Sequence, residues 1–207
     1  MEDFIFKDGF SLSLTDIEKD CWLRILNGSL KSKDPLHNPV VANSNTGVVN
    51  MRTVVLRSVD TKNKTLAFHT DIRSGKWNEL QQNNDISWLF YDAHARFQIR
   101  VGGNATLHYN DANADKAWLK SNVNSRKIYL GESAPSQKSA IPTSGLPEIF
   151  ENSNPTLEES EAGRKNFGVV LTKATWVEWL WLNSAGHRRA AFYYKADLSF
   201  ETSWLLP

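Results

Sequence analysis

Alternating apolar and polar positions between residues 48 and 70 predict two β-strands joined by a polar turn. Side chains of residues 52–57 alternate between two faces, which is the period-2 pattern of a half-buried strand. A second strand is predicted over residues 65–70. Ser74 then precedes a short helical segment over residues 76–80. The pattern therefore predicts a strand pair followed at once by an exposed helix start.

The first two-thirds of the chain contains three further regular patterns. Thr15 and Glu18 have the spacing of a capping box for a helix over residues 15–27, which Gly28 is expected to end. Strands are predicted over residues 86–91 and 97–107, and their short connection favours antiparallel pairing. Asp111 is expected to cap a second helix that runs to Lys120.

The last third of the chain favours β-structure. Strands are predicted over residues 167–171, 175–182, 188–194 and 200–205, with a turn over residues 183–186. Both faces of the strand around Val177 are largely apolar, so this strand is expected to be central. We expect the turn to bring Arg189 close to Trp181.

Basic and hydroxyl side chains cluster around the predicted helix start near Ser74. A helix N-terminus offers unpaired N–H groups and the positive end of a dipole, so these residues are candidates for holding a phosphate. The candidates are Arg52, Arg57, Arg73, Ser74 and Lys76. The alternative is that arginines on a strand are solvated or protect a sheet edge.

Composition limits the classes of function. The 207 residues are 41% hydrophobic and 23% charged, which suits one domain with one core. The net charge of +1 gives no general attraction to nucleic acid or membrane, so neither is expected as a partner. The sequence contains no G-x-S-x-G or H-E-x-x-H pattern of the familiar hydrolases.

Cysteine usage and hydropathy indicate the compartment. Cys21 is the single cysteine, which excludes an intramolecular disulfide and suits a reducing environment. No apolar run approaches membrane-spanning length, and the first ten residues lack a basic region followed by a hydrophobic one. A cytoplasmic protein is therefore expected.

Several fragments occur in an order that resembles a known family. They are RTVVLR at 52–57, FHTDIRSGKWNEL at 68–80, NNDISWLFY at 83–91 and FQIRVGG at 97–103, followed by Val177-Glu178-Trp179 and His187-Arg188-Arg189. Together they resemble the pyridoxamine 5'-phosphate oxidase family of flavin mononucleotide (FMN) proteins. The resemblance implies an antiparallel, Greek-key-like split β-barrel with flanking helices, and a homodimer that builds its flavin site from two subunits.

The resemblance also implies site residues and an organisation. One domain would span residues 1–207, with an N-terminal helix and loop over 1–37 and an irregular, partly helical insertion over 121–165. The FMN contacts it implies are Arg52, Thr53, Val54, Val55, His69, Thr70, Ser74, Lys76, Gln98, Gln137, Trp181 and Arg189, with no metal site. Arg57 and His187 are the candidates for catalysis.

The chain departs from the resembled pattern at several positions. Gly75 stands where the family has an arginine, and Asn122 and Ala185 replace two cations that would grip a phosphorylated substrate. Arg126 or Lys120 are candidates to compensate. The resemblance therefore implies an FMN-dependent oxidase or reductase of an undetermined small molecule. The alternatives are a non-catalytic flavin store or sensor, its pocket plugged by Trp118 or Trp181, and a haem-binding split-barrel protein using His69 or His187.

Overall fold

The computed structural model describes residues 4–7 and 10–207, which form a mostly antiparallel β-structure with flanking helices. The strands are β1 (Phe4–Lys7), β2 (Phe10–Ser13), β3 (Val40–Asn45), β4 (Val48–Thr53), β5 (Ser58–Asp60), β6 (Thr65–Asp71), β7 (Asp85–Asp92), β8 (Phe97–His108), β9 (Phe167–Trp181), β10 (Arg188–Tyr194) and β11 (Phe200–Leu205). The α-helices are α1 (Leu14–Leu30), α2 (Gly75–Gln82), α3 (Ala112–Lys120), α4 (Val123–Arg126), α5 (Glu148–Glu151) and α6 (Leu157–Ser160). Short 3₁₀ turns follow α4 and α6.

Strand β9 is the longest element of the sheet, with 15 residues, and it has three partners. It pairs with β8 over almost its whole length, with β6 through its first half and with β10 through its second half. In the described part of the chain, the order β11-β10-β9-β8-β7-β3-β4 forms a nine-stranded sheet together with β5 and β6. The predicted central position of this strand is confirmed.

A β-bulge, with Thr175 of β9 as the extra residue opposite Gly102 and Gly103 of β8, lies where β9 changes partner. The indole ring of Trp176 lies over Gly102, and a Cβ placed there would come within 2.2 Å of that ring. At Gly103 a Cβ would meet the backbone oxygen of Lys173 at 2.0 Å. Both positions therefore require glycine because of close approach.

The chain leaves the sheet edge after β4 and crosses towards β6. The Val54 N–H donates to Pro39 O at 3.0 Å, the Leu56 N–H to His37 O at 2.9 Å and the Arg57 N–H to Ala67 O at 2.8 Å. These bonds curve the structure round between the two ends of the sheet, although the strands do not close into a complete barrel. The predicted run over residues 52–57 is thus a strand only as far as Thr53.

Helix α1 differs from its prediction at both ends. Ser13 is the N-cap and forms the capping box with Asp16, so the predicted pairing of Thr15 with Glu18 was wrong. The helix continues through Gly28 to Leu30. Gly28 serves close packing instead of termination, because a Cβ there would lie 2.9 Å from atoms of Leu36.

Other boundaries agree with the predictions more closely. Strands β7, β8, β10 and β11 lie within one residue of their predicted ends, and Asp111 caps α3 by accepting from the Ala114 N–H. The two strands predicted over 167–171 and 175–182 are one continuous strand. Segment 121–165 contains short helices around an irregular loop, as expected. Residues 1–3 and 8–9 of the predicted N-terminal segment 1–37 lie outside the described residues.

Two apolar clusters stabilise this arrangement. The larger lies between α1 and the sheet and includes Trp22, Phe68 and Trp88; the smaller joins Trp118 on α3 to Tyr129 and Phe167. Cys21 belongs to the larger cluster, and burial raises the pKa of its thiol, which is consistent with a packing role. Within the described ranges, no helix has both the length and the apolar character that crossing a membrane requires.

A buried polar network fixes α1 to the rest of the fold. The Tyr194 hydroxyl donates to Glu18 Oε1 at 2.5 Å and accepts from the Trp22 indole N–H at 2.6 Å. Lys64 Nζ donates to the same carboxylate at 2.7 Å. Burial, reinforced by Glu18, raises the pKa of Tyr194, so its hydroxyl stays protonated and remains a donor.

Removal of that hydroxyl tests the network. Tyr194→Phe leaves a buried carboxylate and an indole N–H each with one partner fewer, so we expect the free energy of unfolding to fall by about 1–3 kcal/mol. Urea denaturation measures this change. Tyr193→Phe, at the half-exposed neighbouring position, is the control and should leave stability unchanged. Equal stability of the two variants would show that the network contributes nothing.

Candidate functional site

Hydroxyl groups and a lysine meet where β6 leads into α2. Thr70, at the end of β6, and Ser74, the N-cap of α2, are both buried, and their Oγ atoms lie 3.3 Å apart. Lys76 Nζ donates to Thr70 Oγ1 at 3.0 Å. The end of a strand and the first turn of a helix thus bring Thr70, an implied FMN contact, together with Ser74 and Lys76, two of the predicted phosphate ligands.

Arg52 reaches the same region from β4. Its guanidinium donates to Asn43 Oδ1 and to Asn50 O, and its Nη2 lies 3.4 Å from Glu79 Oε2. Glu79 also accepts from the amides of Asn43 at 2.7 Å and Asn50 at 3.0 Å. Glu79 on α2 therefore helps to hold the guanidinium of Arg52 on β4 in position.

The charges around Lys76 influence one another. Burial, followed by the positive charge of Arg52, lowers the pKa of Lys76. Asp71 and Glu79 oppose this shift more weakly. Burial and Arg52 both destabilise the protonated form of Lys76, so an anion bound beside the ammonium group would stabilise that form.

These residues suit a phosphate group. Two cations supply charge-assisted hydrogen bonds and two hydroxyls complete them. Ser74 makes no side-chain bond to the helix that it caps, so its hydroxyl is not committed to the first turn of α2. The space above Gly75 is open, with Glu79 Oε1 at 3.9 Å as the nearest atom to a Cβ placed there. A phosphate can therefore approach the backbone at the start of α2.

Two other basic candidates point elsewhere. Arg73 makes a bidentate pair with Asp71, with its Nη2 2.7 Å from Oδ2, and also donates to Gly131 O at 3.0 Å. Arg73 therefore does not replace the arginine charge that the family has at the position of Gly75. Arg57 lines a separate cavity.

That second cavity has a volume of about 440 Å³ and lies between the β6–β9 strand pair and helix α3. Arg57 and His69 stand on one side, and Lys116, Lys120 and Asn122 on the other. Burial and the charge of Arg57 lower the pKa of His69 to about 3, so its ring is neutral. Its ring packs edge-on against Phe167, with 4.8 Å between ring centroids.

A third set of predicted residues lies on the outer face of the sheet. Gln98, Leu180 and Arg189 occupy one cross-strand row of β8, β9 and β10, so their side chains share a face. Arg189 donates to Glu178 Oε2 at 2.7 Å. Trp181 lies on the opposite face, partly buried against the core, and Leu180 takes the position beside Gln98 and Arg189.

The remaining predicted residues are spread along the chain. Val54 and Val55 are half-buried where the chain crosses towards β6, and Thr53 is exposed at the end of β4. Gln137 lies exposed in the loop of residues 131–147, and His187 lies exposed in the turn between β9 and β10. Neither residue lines the cavity that holds Arg57.

The structure adds three residues that the sequence patterns did not single out. Glu79 orders Arg52, Lys116 lines the cavity, and His108 lies there with Nδ1 2.8 Å from Asp111 Oδ2. The signal for the last pair was the i, i+3 spacing of a histidine that ends a strand and an aspartate that caps the next helix. For Glu79 no local signal exists, because its partners lie 27 to 36 residues earlier.

Comparison with known proteins identifies relatives of this sequence. The family model described as "Pyridoxamine 5'-phosphate oxidase, FMN-binding domain" matches residues 20–109. The pyridoxine/pyridoxamine 5'-phosphate oxidase 2 of Arabidopsis thaliana is 26% identical over 200 residues, which cover 88% of this chain and 93% of the relative.

Solved structures share the fold. A pyridoxamine 5'-phosphate oxidase-related, FMN-binding protein of Nostoc punctiforme matches with a TM-score of 0.72 and 22% identity, over 96% of this chain and all of that one. PhzG of Burkholderia lata, solved with tetrahydrophenazine-1-carboxylic acid, matches with a TM-score of 0.65 and 19% identity, over 91% of this chain and 90% of that one. These likenesses confirm the predicted split-barrel fold. Residues 20–109 thus match the FMN-binding domain of the pyridoxamine 5'-phosphate oxidase family, and FMN is the cofactor of this domain.

Proposed function

We propose that this protein is an FMN-dependent oxidoreductase that acts on a small molecule. The observation that carries the proposal is the convergence of Arg52, Thr70, Ser74 and Lys76 at the start of α2, within the matched FMN-binding domain. When bound, FMN supplies the redox chemistry by accepting and donating electrons. The protein holds the phosphate and controls what approaches the ring.

The proposed roles follow the chemistry of each side chain. Lys76 and Arg52 neutralise the phosphate, and the Thr70 and Ser74 hydroxyls complete its hydrogen bonds. Gln98 and Arg189, in the outer-face row, offer an amide and a guanidinium to the polar edge of a flavin ring. Both an acceptor and donors are present there.

The substrate is proposed to enter the cavity lined by Arg57 and His69. Arg126, considered from the sequence as a replacement cation, is buried and committed to Glu161 at 2.6 Å and to Trp118 O at 2.9 Å. Lys120 lines the cavity and remains a candidate. Together with Asn122 and Ala185, this arrangement favours a substrate grip different from that expected of a pyridoxamine 5'-phosphate oxidase.

We further propose a homodimer. The outer face of the sheet presents the Gln98 row beside the exposed apolar side chains Met51, Leu89 and Tyr91. Burial of such a face against a second copy is favourable. Light scattering of the FMN-loaded protein is expected to give twice the chain mass, and a monomer would contradict the proposal.

One observation favours an enzyme over a flavin store. Trp118, which was a candidate plug, is buried against Tyr129 and Phe167, donates to Glu161 Oε2 at 2.9 Å and does not line the cavity. The cavity is therefore open to a small molecule. Of the haem candidates, His69 is half-buried with its ring packed edge-on against Phe167, and His187 is exposed on a turn, so neither location favours the haem alternative.

The function is tested by flavin binding and reduction. After incubation with FMN and removal of the unbound fraction, we expect one flavin per chain in the visible spectrum. Anaerobic mixing with candidate substrates should then bleach the flavin band, and air should restore it. FMN retained without bleaching by any substrate or nicotinamide nucleotide would favour the store.

Loss of the cation tests the phosphate assignment. Lys76→Met keeps the side-chain stem but removes the charge, and we expect FMN binding to weaken by about 1.5–3 kcal/mol, the scale of a charge-assisted hydrogen bond. Fluorescence quenching of FMN measures the affinity. Lys62→Met, at an exposed position in the turn before β6, is the matched control. Unchanged affinity in Lys76→Met would contradict the assignment.

The pH dependence of binding is a separate prediction. The pKa of Lys76 is lowered in the free protein, and a bound phosphate is expected to raise it. Protonation of Lys76 then favours binding, so FMN affinity should fall as the pH rises from the free pKa to the bound pKa. Titrations of the wild type and Lys76→Met over the same pH range isolate this contribution. Parallel curves would show that Lys76 does not contact the phosphate.

A further inference from the structure

The turn between β6 and α2 holds an arginine between the two hydroxyl residues of the proposed phosphate site. Thr70 and Ser74 are at its ends, and Asp71 and Arg73 lie between them. The Asp71 carbonyl accepts from the Ser74 N–H at 3.1 Å. The Asp71 carboxylate accepts from the Arg73 N–H at 2.8 Å, from its Nε at 3.0 Å and from its Nη2 at 2.7 Å. One turn conformation therefore sets both the position of Ser74 and the direction of the Arg73 guanidinium.

That guanidinium contacts the base of the loop of residues 131–147. Arg73 Nη2 donates to Gly131 O at 3.0 Å, and Nη1 donates to Glu132 O at 3.4 Å. The Glu132 N–H donates to Gly145 O at 3.0 Å, so the two ends of the loop meet at this point. Arg73 thus joins the phosphate-site turn to the place where the loop closes.

Beyond its base, the loop has few contacts with the rest of the fold. Residues 135–144 are all exposed, and in the described part of the chain their hydrogen bonds run only to partners within residues 134–151. A cavity of about 650 Å³ lies between the loop and the side formed by Asp71, Arg73 and Ile128. A segment with few buried contacts opens at a low cost in free energy. The bonds at its base therefore decide whether the loop docks.

A separate connection holds the turn without Arg73. The Ile72 N–H donates to Asn166 O at 2.9 Å, and Asn166 Nδ2 donates to Tyr129 O at 2.8 Å. Both Asn166 and Tyr129 are buried. Loss of the Arg73 guanidinium should therefore release the loop and leave the turn folded.

We propose that Arg73 is a positioning residue that couples phosphate binding at Thr70 and Ser74 to docking of the loop of residues 131–147. A phosphate bonded to the two hydroxyls stabilises the turn conformation in which Arg73 contacts the loop base. Bound phosphate and docked loop then favour each other, so FMN loading shifts the loop towards the docked state. The inference rests on the proposed function, because it takes the proposed phosphate site as the place where FMN binds.

Limited proteolysis of the whole chain tests the coupling. Lys138 is the only lysine or arginine between residues 131 and 147, so tryptic cleavage after it reports release of the loop. We expect saturating FMN to slow this cleavage by about fivefold or more, the lower end of a typical coupling between sites. Cleavage after Lys62, in the exposed turn before β6, should not change.

Riboflavin is the matched ligand, because it has the same ring without the phosphate. At a concentration at which its fluorescence shows that it is bound, riboflavin should leave cleavage after Lys138 unchanged. Equal protection by riboflavin and FMN would mean that the ring covers the loop directly, and protection by neither would mean that the loop does not respond. Either result would overturn the proposal, and neither measurement requires a substitution.

One variant assigns the coupling to Arg73. Arg73→Gln should be cleaved rapidly after Lys138 with or without FMN, and its FMN affinity should fall by up to the same factor as the lost protection, because coupling is reciprocal. Arg24→Gln, which removes another arginine paired with an aspartate of its own segment, is the control and should behave as the wild type. Urea denaturation establishes that both variants are folded. Full protection by FMN in folded Arg73→Gln would overturn the role of Arg73.

These measurements separate this inference from the proposed function. If Lys76→Met weakens FMN binding and FMN does not protect Lys138, the phosphate site stands and the coupling is contradicted. If Lys76→Met leaves FMN affinity unchanged, the phosphate site and the coupling are both contradicted. No step depends on turnover, so a protein that shows the coupling but whose flavin no substrate reduces would contradict the oxidoreductase alone.

Discussion

The structure depends on the backbone ladder between β8 and β9. This ladder runs through 12 registered pairs and is interrupted only at the Gly102 and Gly103 bulge, where the second partner of β9 changes from β6 to β10. Because one strand serves two halves of the sheet, a shift of register would displace both halves together. The glycines are required there, since the Trp176 ring and the Lys173 backbone occupy the space that side chains would need.

Several features that the proposed function uses are attached to this ladder. β6, which ends in the Thr70 hydroxyl, pairs with its first half, and Gln98 and Arg189 flank its second half. The cavity has β9 as its floor through Val169 and Leu171. Residues far apart in the sequence therefore keep fixed separations, because they share hydrogen-bonded neighbours.

Much of this arrangement follows from local patterns. The alternation in residues 86–107 and 188–205 gave strand ends accurate to about one residue, since period-2 burial is a local property. The motif around Thr70, Ser74 and Lys76 also lies within one turn and its helix, so its clustering was predictable. Arg73 was misjudged because its partners, Asp71 and Gly131, include a carbonyl that lies 58 residues away.

What escaped prediction depends on tertiary contacts. Ser13, and not Thr15, caps α1 because Asp16 completes a reciprocal pair of hydrogen bonds with Ser13. The sequence alone does not separate the two residues, since serine and threonine both fit the capping-box motif. Gly28 looks like a helix terminator until Leu36 is seen against it. Glu79 is an ordinary surface-type residue in the sequence, and only its neighbours in space give it a role.

The position of β4 has a consequence for how the chain behaves in solution. It is the last strand on its side of the described sheet, so one row of its backbone groups faces outwards with no adjoining strand. Val48, Val49 and Met51 are also exposed along it. Natural proteins usually protect such edges with charge, proline or a covering segment, because an open apolar edge templates pairing with another chain. In this chain the strand that carries Arg52 therefore also has an open apolar edge that favours misassembly.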